Sequence, residues 1–269
     1  MRSKVYTLLV LFTLSLYCSF FNLVNAEAQP VLKLATQDFP PFSYLNNADA
    51  NGKVSITNVA GPAAEIIRKV CEDAGIECTL SLLPWRRAQY DMEEEGLYNG
   101  LFLIGKNKAR MKYLYFSPAV LKTEYGFFVK DDNTMEYKSP SDIKDYRVAV
   151  YGPSNTSKSL EKVHNEMEQF TIDMRPDDIS GFRKLSLGRV EAVYSNKDVG
   201  FAILEKQKIK NIRYAGMHRE LNYYIGFSMK HTDKSIVDNF NKTFLKLHKE
   251  NIIQEILSKY ALEPAVTKE

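Results

Sequence analysis

From Val31 onward, short apolar runs alternate with stretches whose apolar residues recur every three to four positions. The first pattern predicts strands and the second predicts helices packed on one face. Val31–Thr36, Cys78–Leu83 and Leu101–Ile104 read as strands, with Ala63–Ala74 and Arg87–Glu95 as helices among them. Pro62 suits the first turn of one helix, and Gly75 and Gly96 stop the two. Asn107 is placed to cap a short helical turn that carries Arg110.

A second unit of the same kind follows Tyr125–Val129 and the polar break Asp131-Asp132-Asn133. Arg147–Tyr151, Phe170–Met174, Val190–Tyr194 and Ile212–Tyr214 read as its strands. Gly152–Thr156 forms a turn before a helix that starts at Ser157, and Asp178–Leu187 is a helix closed by Gly188. Tyr223–Met229 is again strand-like, and Ser235–Tyr260 reads as one long helix. Its apolar face, Ile252, Ile253, Ile256, Leu257 and Tyr260, needs a surface to cover it. Docking that face on the first unit predicts an α/β protein of two lobes, residues 30–128 plus 223–262 and residues 129–222. Two crossing segments near Phe128 and Asn222 then make a hinge.

The N-terminus adds an export signal: Arg2 and Lys4, a largely apolar run from Val5 to Val24, and a Val24-x-Ala26 cleavage site. The expected product is a periplasmic protein cleaved after Ala26. Taking those 26 residues from 269 leaves 243, and losing Arg2 and Lys4 lowers the basic residues from 36 to 34 against 33 acidic. So even a balance offers nothing to a nucleic acid or an anionic membrane. Export permits a disulfide between the two remaining cysteines, Cys71 and Cys78, which otherwise read as small buried thiols. His164, His218, His231 and His248 are scattered without metal-ligand spacing, and no Walker loop, dinucleotide fingerprint or nucleophile elbow is present. No metal or other cofactor is expected, and no catalysis.

Several pieces in order carry a resemblance: Phe39-Pro40-Pro41-Phe42, Lys108-Ala109-Arg110 before Phe116-Ser117-Pro118, Arg147-Val148-Ala149-Val150 with Gly152 after it, and Leu187-Gly188-Arg189-Val190-Glu191-Ala192. From about Val31 to Tyr260 the chain resembles the family 3 solute-binding proteins, periplasmic receptors of polar-amino-acid-type ABC importers. The resemblance implies a Venus flytrap fold: a monomeric clamp that closes on a small polar solute and presents itself to an inner-membrane ABC permease. A membrane sensor is the alternative partner. Relatives on this fold that act as cyclohexadienyl dehydratases give a third reading, with Glu65 or Glu124 as its acid by position alone.

Arg110 matches the position that holds the ligand carboxylate in amino-acid-binding members, a role that suits the planar guanidinium fork. Ser154, Asn155 and Thr156, before a helix, offer amides and hydroxyls to an anion, or simply cap that helix. Where amino-acid binders place an aspartate to pair with the ligand ammonium, this chain has Asn196, which accepts a hydrogen bond but brings no charge. That departure admits a carboxylate or polar solute lacking an α-ammonium. Trp85 and Phe42 form flat walls or belong to the core, and Arg87 adds charge to the cleft or covers a helix surface. Asp38 and Glu65 are the nearest carboxylates to supply the negative charge that Asn196 lacks.

Overall fold

Strand β1 (Leu32–Thr36) leads through the small antiparallel pair β2 (Tyr44–Leu45) and β3 (Val59–Ala60) into helix α1 (Pro62–Ala74), strand β4 (Cys78–Leu82), helix α2 (Trp85–Glu93) and strand β5 (Gly100–Ile104). The computed structural model describes residues 31–46 and 55–265; the expected export signal and its cleavage after Ala26 lie outside the described residues. β1 pairs in parallel with β4 on one side and β5 on the other. Gly61, at φ 102, sets the entry to α1, and a Cβ there would come 2.6 Å from the Phe42 carbonyl oxygen. Only glycine serves at that approach. The Cys71 and Cys78 sulfurs are joined at 1.97 Å, tying the last turn of α1 to the first residue of β4.

The chain continues through β6 (Leu114–Phe116) and β7 (Leu121–Lys130) to β8 (Arg147–Tyr151), α3 (Asn155–Met167), β9 (Thr171–Arg175), α4 (Asp178–Ser186), β10 (Ala192–Asn196) and α5 (Lys197–Gln207). β11 (Ile212–Ser228), α6 (Lys234–Lys249) and α7 (Ile252–Ser258) complete the described elements. The strands run β4-β1-β5-β11-β7-β10-β8-β9, with β6 also on β11. β8, β9 and β10 are mutually parallel, as are β1, β4 and β5.

β11 joins these two parallel groups. Its first part pairs antiparallel with β7, from Ile212 opposite Lys130 to Tyr223 opposite Leu121, and its last residues pair with β5 and β6. The hydrophobic pattern shows only the two ends of this strand, because between them the pairing shifts at Gly216 and again near Arg219. Gly216 sits at φ 141, where a Cβ would meet the Tyr137 carbonyl oxygen at 2.6 Å.

Two sets of buried side chains flank this junction. Leu34, Ile66, Ile67 and Val70 pack with Phe227, Phe240 and Phe244 around β1, whereas Phe127, Val148, Leu160 and Tyr194 pack around β8. Fully burying each such aliphatic side chain contributes about 1.5–3 kcal/mol. Tyr125–Val129, read from sequence as the close of the first unit, packs with the second. The reason is its pairing with β10, which sets Phe128 opposite Val193. The C-terminal segment returns to the first core as its apolar face requires, but as two helices. Asn251 stands between them at φ 63, a left-handed conformation that asparagine tolerates better than most side-chained residues.

Candidate functional site

The carboxyl ends of four strands meet around one small cavity of about 70 Å³: Thr36 of β1, Ile104 of β5, Tyr151 of β8 and Asn196 of β10 all line it. Open α/β sheets hold ligands at this end of their strands. β5 carries a bulge at its approach, since Phe102 and Ile104 face Ile225 and Tyr224 while Leu103 between them has no partner and adopts φ 60. A side-chained residue held there costs about 1–3 kcal/mol, and such conformations cluster at ligand clamps.

Arg110 enters the cavity from a short turn after β5, where the Asn107 side chain accepts its backbone N–H at 2.9 Å. Its Nη1 donates to the Gly105 carbonyl at 2.9 Å, and its guanidinium lies 5.9 Å from the Trp85 ring centroid. Among the described residues no carboxylate forms an ion pair with it. The Gly105 carbonyl, the Trp85 ring and the neighbouring Tyr113 side chain orient the fork and leave donors for an anion. Trp85, the first residue of α2, is also a wall of the cavity.

Across the cavity stands the start of α3, with Ser154, Asn155 and Thr156 on the lining. The Ser154 hydroxyl accepts the Thr156 and Ser157 amides at 3.1 Å each and donates to the Tyr151 carbonyl at 2.7 Å. Those two amides are therefore used in capping, which narrows the sequence expectation of a backbone anion cradle. The Asn155 and Thr156 side chains are what this helix end offers.

Asn196 is buried and heavily committed. Its Oδ1 accepts the Asp198 and Val199 amides at 3.0 and 3.2 Å, capping α5, and its Nδ2 donates to Thr123 Oγ1 at 2.9 Å. Because the helix begins right after Asn196, Asp198 turns away to accept from Thr123 Oγ1 at 2.6 Å, and it does not line the cavity. The negative charge enters from an unexpected place: among the described residues Asp178, the first residue of α4, is the one carboxylate lining the cavity, as Arg110 is the one cation. Burial raises the Asp178 carboxyl to about 6, the Asp177 charge adds to the rise, and the Ser195 hydroxyl, donating at 3.1 Å, opposes it. The legible signal was the Asp177-Asp178 pair. Asp177 caps α4 by accepting the Ser180 amide at 2.7 Å, which leaves its neighbour to face the cavity. Tyr125 and Tyr223, read only as strand residues, also line the space.

Five other residues singled out from sequence lie elsewhere. Phe42 is fully buried against Phe39 and Tyr223, a core residue rather than a wall, because the turn folds it under the sheet. Arg87 points out along α2 to Asp91 at 2.7 Å, where the i,i+4 spacing favours pairing. Glu65 accepts from the Tyr260 hydroxyl and lies 3.8 Å from Lys259, so the returning C-terminal segment holds it. Glu124 pairs with Lys197 at 3.1 Å and likewise stays off the lining. Asp38 borders an adjoining pocket of about 240 Å³, where burial raises its carboxyl and the Lys206 charge counters the rise.

This α/β architecture, with its cavity at the strand ends, is that of a two-lobed binding protein. The chain belongs to the bacterial extracellular solute-binding proteins, family 3, whose model matches residues 32–263. Similar solved structures include a histidine kinase sensor domain resembling periplasmic binding proteins, at TM-score 0.73 and 18% identity, covering 89% of this chain and 100% of that one. An ancestral arginine-binding protein bound to arginine matches at TM-score 0.69 and 20% identity, covering 86% and 97%. An amino acid ABC transporter substrate-binding protein of Streptococcus pneumoniae, bound to L-arginine, matches at TM-score 0.68 and 18% identity, covering 85% and 93%. At these identities the likeness is one of fold. A search of curated protein sequences yields no significant match. Among the described residues no helix is long and apolar enough to cross a membrane.

Proposed function

We propose that this protein is an exported, periplasmic receptor that closes on a small carboxylate-bearing solute, an amino acid or close relative, and delivers it to an ABC importer. The observation that carries this reading is the pairing of opposite charges across one cavity: Arg110 on the β1/β5 side and Asp178 on the β8/β10 side. The guanidinium takes a carboxylate in its planar fork, the Asn155 and Thr156 side chains add donors, and Trp85 supplies an apolar wall. Asp178, ionised above about pH 6, meets an ammonium and so takes the part that Asn196 does not. This returns an α-amino acid to the candidate solutes.

In this reading the β7/β11 ribbon is the hinge. The first lobe comprises residues 31–120 and the segment after Tyr223, the second the residues between, so the crossing falls a few residues earlier on β7 than the hydrophobic pattern indicates. Closure requires only that the solute bind the closed state better than the open one, by a few kcal/mol. The site is a binder's: its one acid has a role in charge pairing, and neither Glu65 nor Glu124 reaches it.

A melting-shift screen of amino acids and small carboxylates with the purified chain tests this. One class of zwitterionic or carboxylate solute should raise the melting temperature without being consumed. A full panel without effect, or unchanged affinity in Arg110→Ala, sinks the reading.

The sensor-domain neighbour supports a second reading, in which the same closed clamp engages a membrane signalling protein. Pull-down of membrane fractions with solute-loaded protein separates the two by whether a permease or a receptor kinase is recovered.

A further inference from the structure

The cleft continues past Arg110. Gly105, Tyr125 and Asn155 line both the central cavity and a second space of about 380 Å³ beside it. Among the described residues four cations border that second space, and no aspartate or glutamate does. Lys106 comes from the loop after β5, Lys158 and Lys162 from α3, and Arg219 from β11, so three separate elements converge on it.

Local geometry explains the convergence. Asn155, Lys158, Ser159 and Lys162 fall at i, i+3, i+4 and i+7, which places them on one face of α3. Lys106 is held near the Phe116 and Tyr224 rings, at 5.6 and 5.8 Å from their centroids. None of the four forms an ion pair among the described residues, although carboxylates are at hand. Glu220, the sequence neighbour of Arg219, is taken by Lys122, and Glu124 by Lys197. Nearby groups feel the excess: burial and then the Arg219 charge lower the His218 imidazole, against an opposing pull from Glu166. A concave space lined by one sign of charge concentrates counter-ions of the other.

We infer that this space is a subsite for a second anionic group, a carboxylate or a phosphate, on a solute whose first carboxylate lies on Arg110. The inference rests on the clamp reading above and names its substrate class: an elongated solute with two anionic ends. The first carboxylate occupies the central cavity and the second the neighbouring space, which shares Gly105, Tyr125 and Asn155 with it.

Matched probes test it. Calorimetric titration compares L-glutamine with γ-L-glutamylglycine for a second carboxylate, and L-serine with O-phospho-L-serine for a phosphate, in wild type and in Lys158→Gln/Lys162→Gln. In at least one pair the doubly anionic member should bind roughly tenfold tighter, and the preference should shrink in about 0.5 M salt as screening grows. The double variant, with its melting curve recorded as a folding control, should bring the preference below about threefold. Which pair responds tells carboxylate from phosphate. Equal binding within both pairs, or a preference that survives in the double variant, overturns the subsite and leaves the clamp standing. Failure of all four probes to bind wild type overturns the subsite as stated, while the clamp is judged separately by the broader melting screen.

Discussion

The Arg110 guanidinium stands over Trp85, 5.9 Å from the ring centroid, and its Nη1 donates to the Gly105 carbonyl at 2.9 Å. A ring behind and a carbonyl at one end hold a side chain that otherwise has many rotamers, so its ordering cost is met before a ligand arrives. That arrangement makes Arg110 a fixed fork, and it also makes lysine a poor substitute.

Replacing Arg110 by alanine should weaken carboxylate binding by about 2–5 kcal/mol, because the solute anion is then enclosed without a partner. Arg110→Lys should recover only part of this, since a point charge lacks the bidentate geometry. Titration calorimetry with any solute found in the melting screen reads both numbers. Equal affinity of the lysine variant and wild type would contradict the fork.

In the proposed site Asp178 should make binding pH-dependent. Its carboxyl is raised to about 6, so below that pH it is neutral and no longer balances an ammonium. Affinity for an α-amino acid should therefore fall by up to about tenfold per pH unit below 6. Asp178→Asn should bind weakly at every pH, with a flat profile over that range. A wild-type profile that is flat from pH 5 to pH 7, taken as about one unit either side of the shift, would remove the charge role.

The same shift gives a stability effect of known sign. The native state holds the proton more tightly than the unfolded chain, so this contribution is full below the ordinary carboxyl value and is lost as pH rises through about 6. Asp178→Asn should consequently stabilise the ligand-free protein by about 1–2 kcal/mol at pH 7 and by little at pH 4. Melting curves at the two pH values check it, with the gain present at pH 4 as the contrary result.

Asn196→Asp installs the residue that amino-acid binders carry at this position. Here it should destabilise by about 1–3 kcal/mol, because the Nδ2 donor to Thr123 disappears and a second buried carboxylate joins Asp198. Chemical denaturation measures the loss. A more stable variant with tighter amino-acid binding would show that Asp178 is not the solute's counter-charge.

The Cys71–Cys78 link closes a loop of sequence separation 7. Loop-closure entropy for so short a span gives about 2 kcal/mol, and for a chain of this size the reduced protein should melt about 4–8 °C lower. Melting with and without reductant reads the difference, and no shift would mean that the thiols are free.

Much of this molecule is legible from residue order alone. Alternation of strand and helix, the Pro62 and Gly75 boundaries of α1, the Asn107 turn beneath Arg110 and the apolar face of the C-terminal segment are local signals, each set by backbone chemistry within a few residues. The identity of β11 as one strand was not, because shifts at Gly216 and Arg219 interrupt the period that a hydrophobic pattern needs.

Charge at the site divides the same way. The sequence by itself determined which residues carry charge and, for Arg110, the short turn after β5 on which it sits. Tertiary structure alone decided who faces whom. Glu65 went to Tyr260, Arg87 to Asp91 and Phe42 into the core, while Asp178 came to the cavity. The reason is that a side chain's environment depends on elements distant in the chain, here the returning C-terminal helices and the β7/β10 pairing, and on which hydrogen bonds its neighbours have already taken.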